Sequence, residues 1–311
     1  MAGVTPHGCL FAEYARCTLC PRRCGTPRGL IKGNGVCGMG TLARVAKAAL
    51  HFGEEPPLCG SGGSGAVFFC GCALKCVYCQ NAHISQIDPL GYGAAYTADE
   101  LARIFARLID EGAENINLVG ATPYISAVSI AIRIARPTVP IVYNTSGYET
   151  EDTIDALSNI VDIWLPDYKY SDECDAGLLS RASDYPAVAM RAILRMRSIS
   201  GAPEYNSRGI MTRGTIVRHL ALPGRVRESM RALGELAERL PEHTPISLMG
   251  QFTPCHRSAE YGIARPLSKG EWSRLKSHRA ALGLDEGWNQ PPSASGTSLI
   301  PIWDKRKAEC E

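Results

Sequence analysis

Between residues 97 and 252, short apolar runs alternate with amphipathic stretches. The best-defined stretch is TADELARIFARLIDEG (97–112), where Thr97 and Glu100 form a capping-box pattern and Gly112 supplies a stop signal. Its apolar positions recur at helical spacing: Leu101, Ile104, Phe105, Leu108 and Ile109. This period predicts a helix with one buried face.

The same alternation continues along the chain. Helices are predicted at 124–135, 150–159, 185–197 and 226–239, and buried strands at 66–69, 115–119, 140–144, 161–167, 214–222 and 245–252. Residues 1–50 show no long amphipathic period, and 199–212 is predicted to be an irregular loop. Since strands that alternate with helices run parallel, we expect an α/β fold with six or seven parallel strands in an open or partial barrel.

Polar and glycine residues gather just after the predicted strand ends, in the segments GATP, NTSG, PDYK and GQFTP. The carboxyl ends of barrel strands are where α/β barrels build their active sites. The sequence therefore predicts a site at this end of the barrel.

Composition and charge limit the kinds of partner and the cellular compartment that we expect for this protein. The chain has 311 residues, 45% of them hydrophobic and 21% charged, and a net charge of +2, which does not favour nucleic acid or an acidic membrane as a partner. There is no basic and apolar leader pattern and no apolar run of about 20 residues, so we expect no signal peptide and no membrane span. We expect a cytoplasmic protein, in which clustered cysteines are metal ligands rather than disulfides.

Three of the 13 cysteines, Cys72, Cys76 and Cys79, have the spacing C-x3-C-x2-C within FFCGCALKCVYCQN. Thiolates are soft ligands that suit iron–sulfur clusters or zinc, and a structural zinc site needs four closed ligands. A four-iron cluster held by three cysteines keeps one iron open for a substrate or cofactor. Cys70 is a candidate fourth ligand, which would make the alternative a zinc knuckle.

A second set, Cys17, Cys20, Cys24 and Cys37, has the spacing C-x2-C-x3-C-x12-C. Four thiolates form a closed site that either zinc or a second four-iron cluster would fit.

The C-x3-C-x2-C loop after a strand, with Tyr78 before the last cysteine, resembles the radical S-adenosylmethionine (SAM) superfamily. The wider chain resembles the subgroup related to pyruvate formate-lyase activating enzymes. The resemblance implies a partial (β/α)6-type parallel barrel with an N-terminal cysteine-rich extension. The corresponding divisions are an extension over 1–58, a barrel over 59–260, and a C-terminal helix and tail over 261–311.

The resemblance also implies a cofactor site. Cys72, Cys76 and Cys79 would hold a [4Fe–4S] cluster, and the amino and carboxylate groups of SAM would bind its fourth iron. By position in the motifs, the residues that would contact SAM are Tyr78, Gly120, Ala121, Thr122, Asn144, Ser146, Asp167, Lys169, Arg218 and His219. The loop holding Gly120, Ala121 and Thr122 lacks the Gly-Gly-Glu of many members.

The implied reaction is reductive cleavage of SAM to a 5′-deoxyadenosyl radical, which takes hydrogen from a substrate. An external electron donor of the flavodoxin or ferredoxin type would supply the electron. The leading expectation for the substrate is a protein partner, in a reaction like that of a glycyl-radical enzyme activase. The alternatives are a small molecule or peptide transformed with help from an auxiliary cluster, and a structural metal-binding interaction protein.

Overall fold

The computed structural model describes residues 15–296 and 302–303. Residues 1–14 of the predicted extension and most of the predicted C-terminal tail lie outside the described residues. Within the described part, no helix is both long and apolar enough to cross a membrane.

Eleven strands of the described chain form two sheets. They are β1 (Ala43–His51), β2 (Ser64–Phe69), β3 (Ala94–Tyr96), β4 (Ile116–Val119), β5 (Ile141–Thr145), β6 (Ile163–Pro166), β7 (Glu204–Tyr205), β8 (Met211–Thr215), β9 (Val217–Leu220), β10 (Ile246–Met249) and β11 (Gly287–Gln290). The larger sheet has the order β3-β1-β2-β4-β5-β6-β8-β7, and the smaller has the order β11-β10-β9.

The central strands are parallel, from β2 through β4, β5 and β6 to β8, and again from β9 through β10 to β11. Only Ile216 separates β8 from β9, and a parallel bridge joins Asp167 to Arg218. The two sheets therefore continue into one another as a partial barrel. The predicted α/β class, with its mostly parallel sheet and an N-terminal cysteine-rich region, is confirmed.

The described helices of more than one turn cover the outside of the sheet or connect its strands. They are α1 (Pro56–Cys59), α2 (Ala98–Asp110), α3 (Ile125–Ala135), α4 (Glu151–Leu157), α5 (Glu173–Ser180), α6 (Tyr185–Ser200), α7 (Val226–Arg239) and α8 (Lys269–Ala281). In α2 the predicted capping box is present, since Thr97 and Glu100 bond each other's backbone. The predicted helices from 124 to 239 match α3, α4, α6 and α7 to within three residues at each end.

Some elements differ from the predictions. The strand predicted at 214–222 is split into β8 and β9, because the chain changes partners there from β6 to β10. The predicted irregular loop contains β7 and the start of β8, and α5 lies where no helix was predicted. β1 also lacks a clear sequence pattern; it is formed by pairing with β2 on one side and β3 on the other.

Side chains alternate between the two faces of the strands. In β6, Trp164 packs in the cluster beneath the helices, whereas Ile163 and Leu165 point into the barrel interior with Leu58. Leu58 comes from residues 54–59, which include α1 and which we call the floor segment. The interior is therefore filled at the amino ends of the strands, and a cavity opens at their carboxyl ends.

α8 and β11 lie in the predicted C-terminal segment, and β11 pairs with β10. The predicted division of the chain at 58/59 and 260/261 stays a prediction.

Candidate active site

One cavity at the carboxyl ends of the strands collects most of the residues predicted for the site. Cys72, Cys76 and Cys79 line it from the loop that follows β2. Residues from three successive strand ends also line it: Gly120 and Thr122 after β4, Asn144 and Ser146 at β5, and Asp167 and Lys169 after β6. They meet because the carboxyl ends of parallel strands lie at the same edge of a sheet.

Hydrogen bonds hold the cysteine loop in place. Ser180 Oγ donates to Cys76 Sγ at 3.0 Å, and Ser85 Oγ lies 3.4 Å from Cys79 Sγ. Two tyrosine hydroxyls extend the first contact, with Tyr170 Oη 2.8 Å from Ser180 Oγ and Tyr78 Oη 2.5 Å from Tyr170 Oη. This chain of hydroxyl groups ends at the Cys76 thiol. When Cys76 binds a metal as a thiolate, a hydrogen bond donated to its sulfur stabilises the negative charge.

Burial is the main influence on the pKa values of the three thiols in this loop. It raises the pKa of Cys72 and of Cys76 to about 11, and it raises the pKa of the Cys79 thiol as well. The thiols therefore carry protons near neutral pH until a metal replaces them, and cluster assembly releases those protons.

Lys169 provides positive charge beside these thiols. Its ammonium is paired with Asp167. Burial acts to lower the pKa of Lys169, but the negative charge of the Asp167 carboxylate and of Cys76 and Cys79 in their thiolate form outweighs burial, so the pKa is raised. Lys169 stays charged and can pair with a carboxylate group of a ligand in the cavity.

Cys70 does not join this group. Its side chain is fully buried in the core beneath the helices, and its Sγ lies 3.8 Å from the carbonyl oxygen of Tyr92. Cys70 does not line the cavity, so the described structure gives no support to a knuckle built from it.

Four of the predicted SAM contacts lie off the cavity wall. Ala121 is buried beside it, and Tyr78 packs edge-on against Phe252. His219 Nδ1 lies 2.7 Å from the carbonyl oxygen of Tyr168. Arg218 points to the floor segment, as described below. The predicted contacts of these side chains with a cofactor stay predictions.

Arg218 forms a buried ion cluster with Glu54 and Glu55 of the floor segment. Its Nε donates to Glu55 Oε1 at 2.9 Å, its Nη2 contacts both carboxylates, and Asn117 Nδ2 donates to Glu54 Oε1 at 2.9 Å. Burial acts to raise the pKa of Glu55, but the guanidinium outweighs it and the pKa is lowered. We call these residues the floor cluster; every charge in it has a partner of opposite sign.

Three cysteines of the second set line the same cavity. They are Cys17, Cys20 and Cys37, and Leu19 and Arg28 line it with them. Burial raises the pKa of Cys20 to about 12 and raises the pKa of Cys37.

Cys24 belongs to the second set by its spacing but does not line the cavity. It accepts a hydrogen bond from the Val36 backbone at 3.3 Å and packs against Gly35. Within residues 15–296, no three His, Cys, Asp or Glu side chains are arranged to share one metal ion. In a four-iron cluster each thiolate binds a different iron, so the absence of a site for a single metal ion does not bear on a cluster.

Direct contacts tie the N-terminal segment to the barrel. Arg22 Nε donates to the carbonyl oxygen of Ala73 at 3.0 Å, and Thr153 Oγ1 donates to the carbonyl oxygen of Leu19 at 2.6 Å. Gly71, at φ +82°, lies so close to Met39 that a Cβ would fall 2.2 Å from its side chain. The segment therefore covers the cavity beside the first cysteine loop.

One buried residue of the site was missed by the sequence reasoning. Glu149 follows NTSGY and bonds the hydroxyls of Thr122 and Thr145, both on the cavity wall. An acid just after a strand-end motif was the available signal, but its burial could not be read from the sequence. Burial raises the pKa of Glu149 to about 7.

An uncharacterized protein of Methanocaldococcus jannaschii is 26% identical over 288 residues, which cover 89% of this chain and 76% of that relative.

Solved structures that are similar to part of this chain include SuiB of Streptococcus suis bound to the precursor peptide SuiA (TM-score 0.48, 12% identity, 74% of this chain and 47% of SuiB). Another is a domain of pyruvate-formate lyase-activating enzyme from Bacteroides vulgatus (TM-score 0.39, 14% identity, 53% of this chain and 92% of that domain). The chain spans about half the length of SuiB. At these scores the likenesses say nothing about substrate.

Residues 66–172 match the model of the Radical SAM superfamily. That segment holds β2, the loop with Cys72, Cys76 and Cys79, and the strand ends through Lys169. The chain therefore carries a radical SAM domain.

Proposed function

We propose that the protein is a radical SAM enzyme that removes hydrogen from a small molecule or peptide held between its two cysteine sets. The supporting observation is that Cys17, Cys20 and Cys37 line the same cavity as Cys72, Cys76 and Cys79. A substrate in this cavity would contact both sets. This supports the alternative with an auxiliary cluster over a structural role for the second set.

The residues present fit the proposed cofactors. Three cysteines on one loop leave one iron of a cubane without a protein ligand, and Lys169 and Asp167 supply a cation for a carboxylate and an acceptor for hydroxyls. When bound, the cluster and SAM supply an electron and a 5′-deoxyadenosyl radical. The match of residues 66–172 to the Radical SAM superfamily supports the radical chemistry, and the class of substrate is the further part of the proposal.

The chain's own contribution is to orient the reactants and exclude water. Ser180 and Ser85 fix the cysteine loop, the strand ends position polar groups on one wall, and the N-terminal segment covers the opening. An enclosed cavity matters because a primary radical attacks whatever lies nearest.

We further propose that a flavodoxin or ferredoxin-type donor docks beside the cysteine loop. A second cavity there is lined by five basic side chains, Arg22, Lys75, Arg181, His256 and Arg257, together with Val36, Val77 and Gln86. Electrostatic attraction to an acidic donor is screened by salt. The rate of cluster reduction should therefore fall as salt rises, and Lys75→Glu should weaken this dependence.

The decisive experiment follows hydrogen transfer. The purified protein, with its iron and sulfide reconstituted, is reduced in the presence of SAM and deuterated candidate substrates, and 5′-deoxyadenosine is analysed for deuterium. Label from a small molecule or peptide supports the proposal. Label only from a folded protein partner supports the activase-like reaction, and zinc without iron in the purified protein would point to a structural metal-binding protein.

A further inference from the structure

A tight turn of the N-terminal segment carries Arg22 to the first cysteine loop. The backbone N–H of Arg23 donates to the carbonyl oxygen of Cys20 at 2.9 Å, so Pro21 and Arg22 are the two central residues of a four-residue turn. Proline suits the first central position because its ring fixes φ near the value that the turn requires. Arg22 therefore lies at the tip of a turn that Cys20 and Cys24 of the second set flank on either side.

The Arg22 side chain binds two backbone carbonyl groups beside Cys76. Its Nε donates to the carbonyl oxygen of Ala73 in the first cysteine loop at 3.0 Å, and its Nη2 donates to that of Arg181 at 2.5 Å. Arg181 directly follows Ser180, whose hydroxyl donates to Cys76 Sγ. One guanidinium therefore contacts both the cysteine loop and the segment that supplies a hydrogen bond to one of its thiols.

These two contacted segments are also bonded to each other. The backbone N–H of Lys75 donates to the carbonyl oxygen of Ser180 at 3.2 Å, and that of Val77 donates to Leu179 at 2.9 Å. The cysteine loop and the C-terminal end of α5 therefore form one hydrogen-bonded unit. Arg22 joins this unit to the second cysteine set.

The positive charge of Arg22 is not paired with a carboxylate of the described chain. Its guanidinium carbon instead lies 5.4 Å from the centre of the Tyr148 ring, which lines the cavity. An aromatic face attracts a guanidinium without neutralising its charge. A positive charge beside the cysteine loop favours the more negative, reduced form of a bound cluster.

We propose that Arg22 is a positioning residue that couples the two cysteine sets. Metal bound by the second set holds the turn in place, and Arg22 at the tip of that turn raises the reduction potential of a cluster bound by the first set. The coupling is reciprocal, so reduction of the first cluster also strengthens metal binding by the second set. The inference rests on the proposed function for one point, that the first set binds an iron–sulfur cluster, and it holds for zinc or iron in the second set.

The first experiment measures the midpoint potential of the first cluster in the reconstituted protein. Potentiometric titration is followed by electron paramagnetic resonance, using the signal that Cys76→Ala removes. Arg22→Met should shift the reduction equilibrium about tenfold towards the oxidised form, or ~59 mV for a one-electron couple. Arg22→Lys keeps the charge but lacks the planar fork, so its potential should lie between those of Arg22→Met and the wild type.

Arg23→Met is the matched control, because it makes the same substitution at the next residue, whose side chain is exposed. Its potential should equal that of the wild type. Equal potentials in the wild type and Arg22→Met, or the same shift in Arg23→Met, would overturn the proposal. A role of Arg22 in folding alone would lower the iron content without moving the potential of the clusters that form.

The second experiment tests the coupling by repeating the comparison in Cys37→Ala, which removes a ligand of the second set that lies outside the turn. In this background Arg22→Met should shift the equilibrium by less than about twofold, since the turn is no longer held by metal. A tenfold shift in both backgrounds would overturn the coupling. SAM cleavage is assayed in the same samples. A wild-type protein that has the first cluster but forms no 5′-deoxyadenosine would overturn the proposed function and leave the comparison of potentials valid.

Discussion

Two buried carboxylates at opposite ends of the barrel show how differently its two ends are built. At the floor, Glu55 contacts Arg218, and its pKa is lowered even though it is buried. Near the cavity, Glu149 is equally buried, but among the described residues its carboxyl group has only hydroxyl partners, and its pKa is raised to about 7. The carboxylates of the floor are paired with a cation of the described chain, whereas Glu149 is not.

The same contrast holds for the groups around them. The floor cluster and Leu58 fill the barrel interior, and Asn117 satisfies one more oxygen of Glu54. The cavity instead collects thiols whose pKa values are raised by burial and a paired lysine, and Glu149 beside it has a carboxyl oxygen with no hydrogen-bond partner among the described residues. Polar groups that folding leaves incompletely paired are expected where a protein binds or reacts.

The largest expected effect is at the cavity. Cys76→Ala should remove one ligand of the three-cysteine set, so the iron content should fall and SAM cleavage should drop below detection. Anaerobic reconstitution followed by iron, sulfide and 5′-deoxyadenosine assays measures both. Cys174→Ala, at an exposed cysteine outside both sets, is the control and should behave like the wild type. Retained cleavage in Cys76→Ala would disprove the assignment.

At the floor, Arg218→Met should leave Glu54 and Glu55 buried without their cation. Breaking a buried ion pair from one side costs about 3–5 kcal/mol of unfolding free energy. Denaturant unfolding at pH 7.5 measures the loss. Arg195→Met, which breaks the exposed pair with Asp155, should cost at most about 1 kcal/mol. Similar losses in the two variants would show that the floor cluster contributes no more than a surface pair.

Glu149→Gln should stabilise the unliganded protein at alkaline pH. A pKa of about 7 against an ordinary 4.5 means that the folded state binds more protons than the unfolded state between these pH values, so stability falls as pH rises through them. Above pH 7 the cost is about 3 kcal/mol, which the amide does not incur.

Melting curves of the ligand-free variant and wild type test this. The gain should be large at pH 8 and should shrink towards pH 5. Glu55 has the opposite sign: with its pKa lowered, it contributes stability above its unfolded pKa that is lost on acidification. A gain in Glu149→Gln that is independent of pH would contradict a charged Glu149 in the folded protein.

The smallest expected effect is on the midpoint potential of a cluster bound by the cysteine loop. Ser180 donates a hydrogen bond to Cys76 Sγ, which favours the more negative, reduced form of a bound cluster. Ser180→Ala should lower the midpoint potential by roughly 40 mV, the equivalent of a hydrogen bond worth about 1 kcal/mol. Potentiometric titration followed by electron paramagnetic resonance measures it. Ser183→Ala, at a nearby serine that makes no described bond to a thiol, serves as the control, and equal potentials in both variants would exclude the effect.

Much of this architecture could be predicted from local sequence. The 3.6-residue period of α2 and its capping residues are local features, and the short apolar runs fall at β2, β4, β5, β6 and β10. Their alternation implied a parallel sheet, and the sheet in turn implied that Asn144, Asp167 and Lys169 would share one edge. Each of these predictions depends only on the spacing of residues along the chain, which can be read directly from the sequence.

The elements and contacts that escaped prediction depend on distant partners. β1 is a strand because β2 and β3 flank it, and β8 gives way to β9 where the pairing partner changes. By its position in a family motif, Arg218 is predicted to contact the cofactor. In the described structure its guanidinium instead binds Glu54 and Glu55, which are more than 160 residues away along the chain.

By itself, the sequence determined the α/β order of elements, the two cysteine spacings and the superfamily resemblance, because periodicity and ligand spacing are properties of neighbouring residues. Only the tertiary structure decided that three cysteines of the second set line the same cavity as the first set, that Cys70 lies apart, and that Glu149 is buried without a cation among the described residues. Burial and charge pairing depend on which segments the fold brings together, and these set the pKa of a carboxyl group that the sequence alone presents as ordinary.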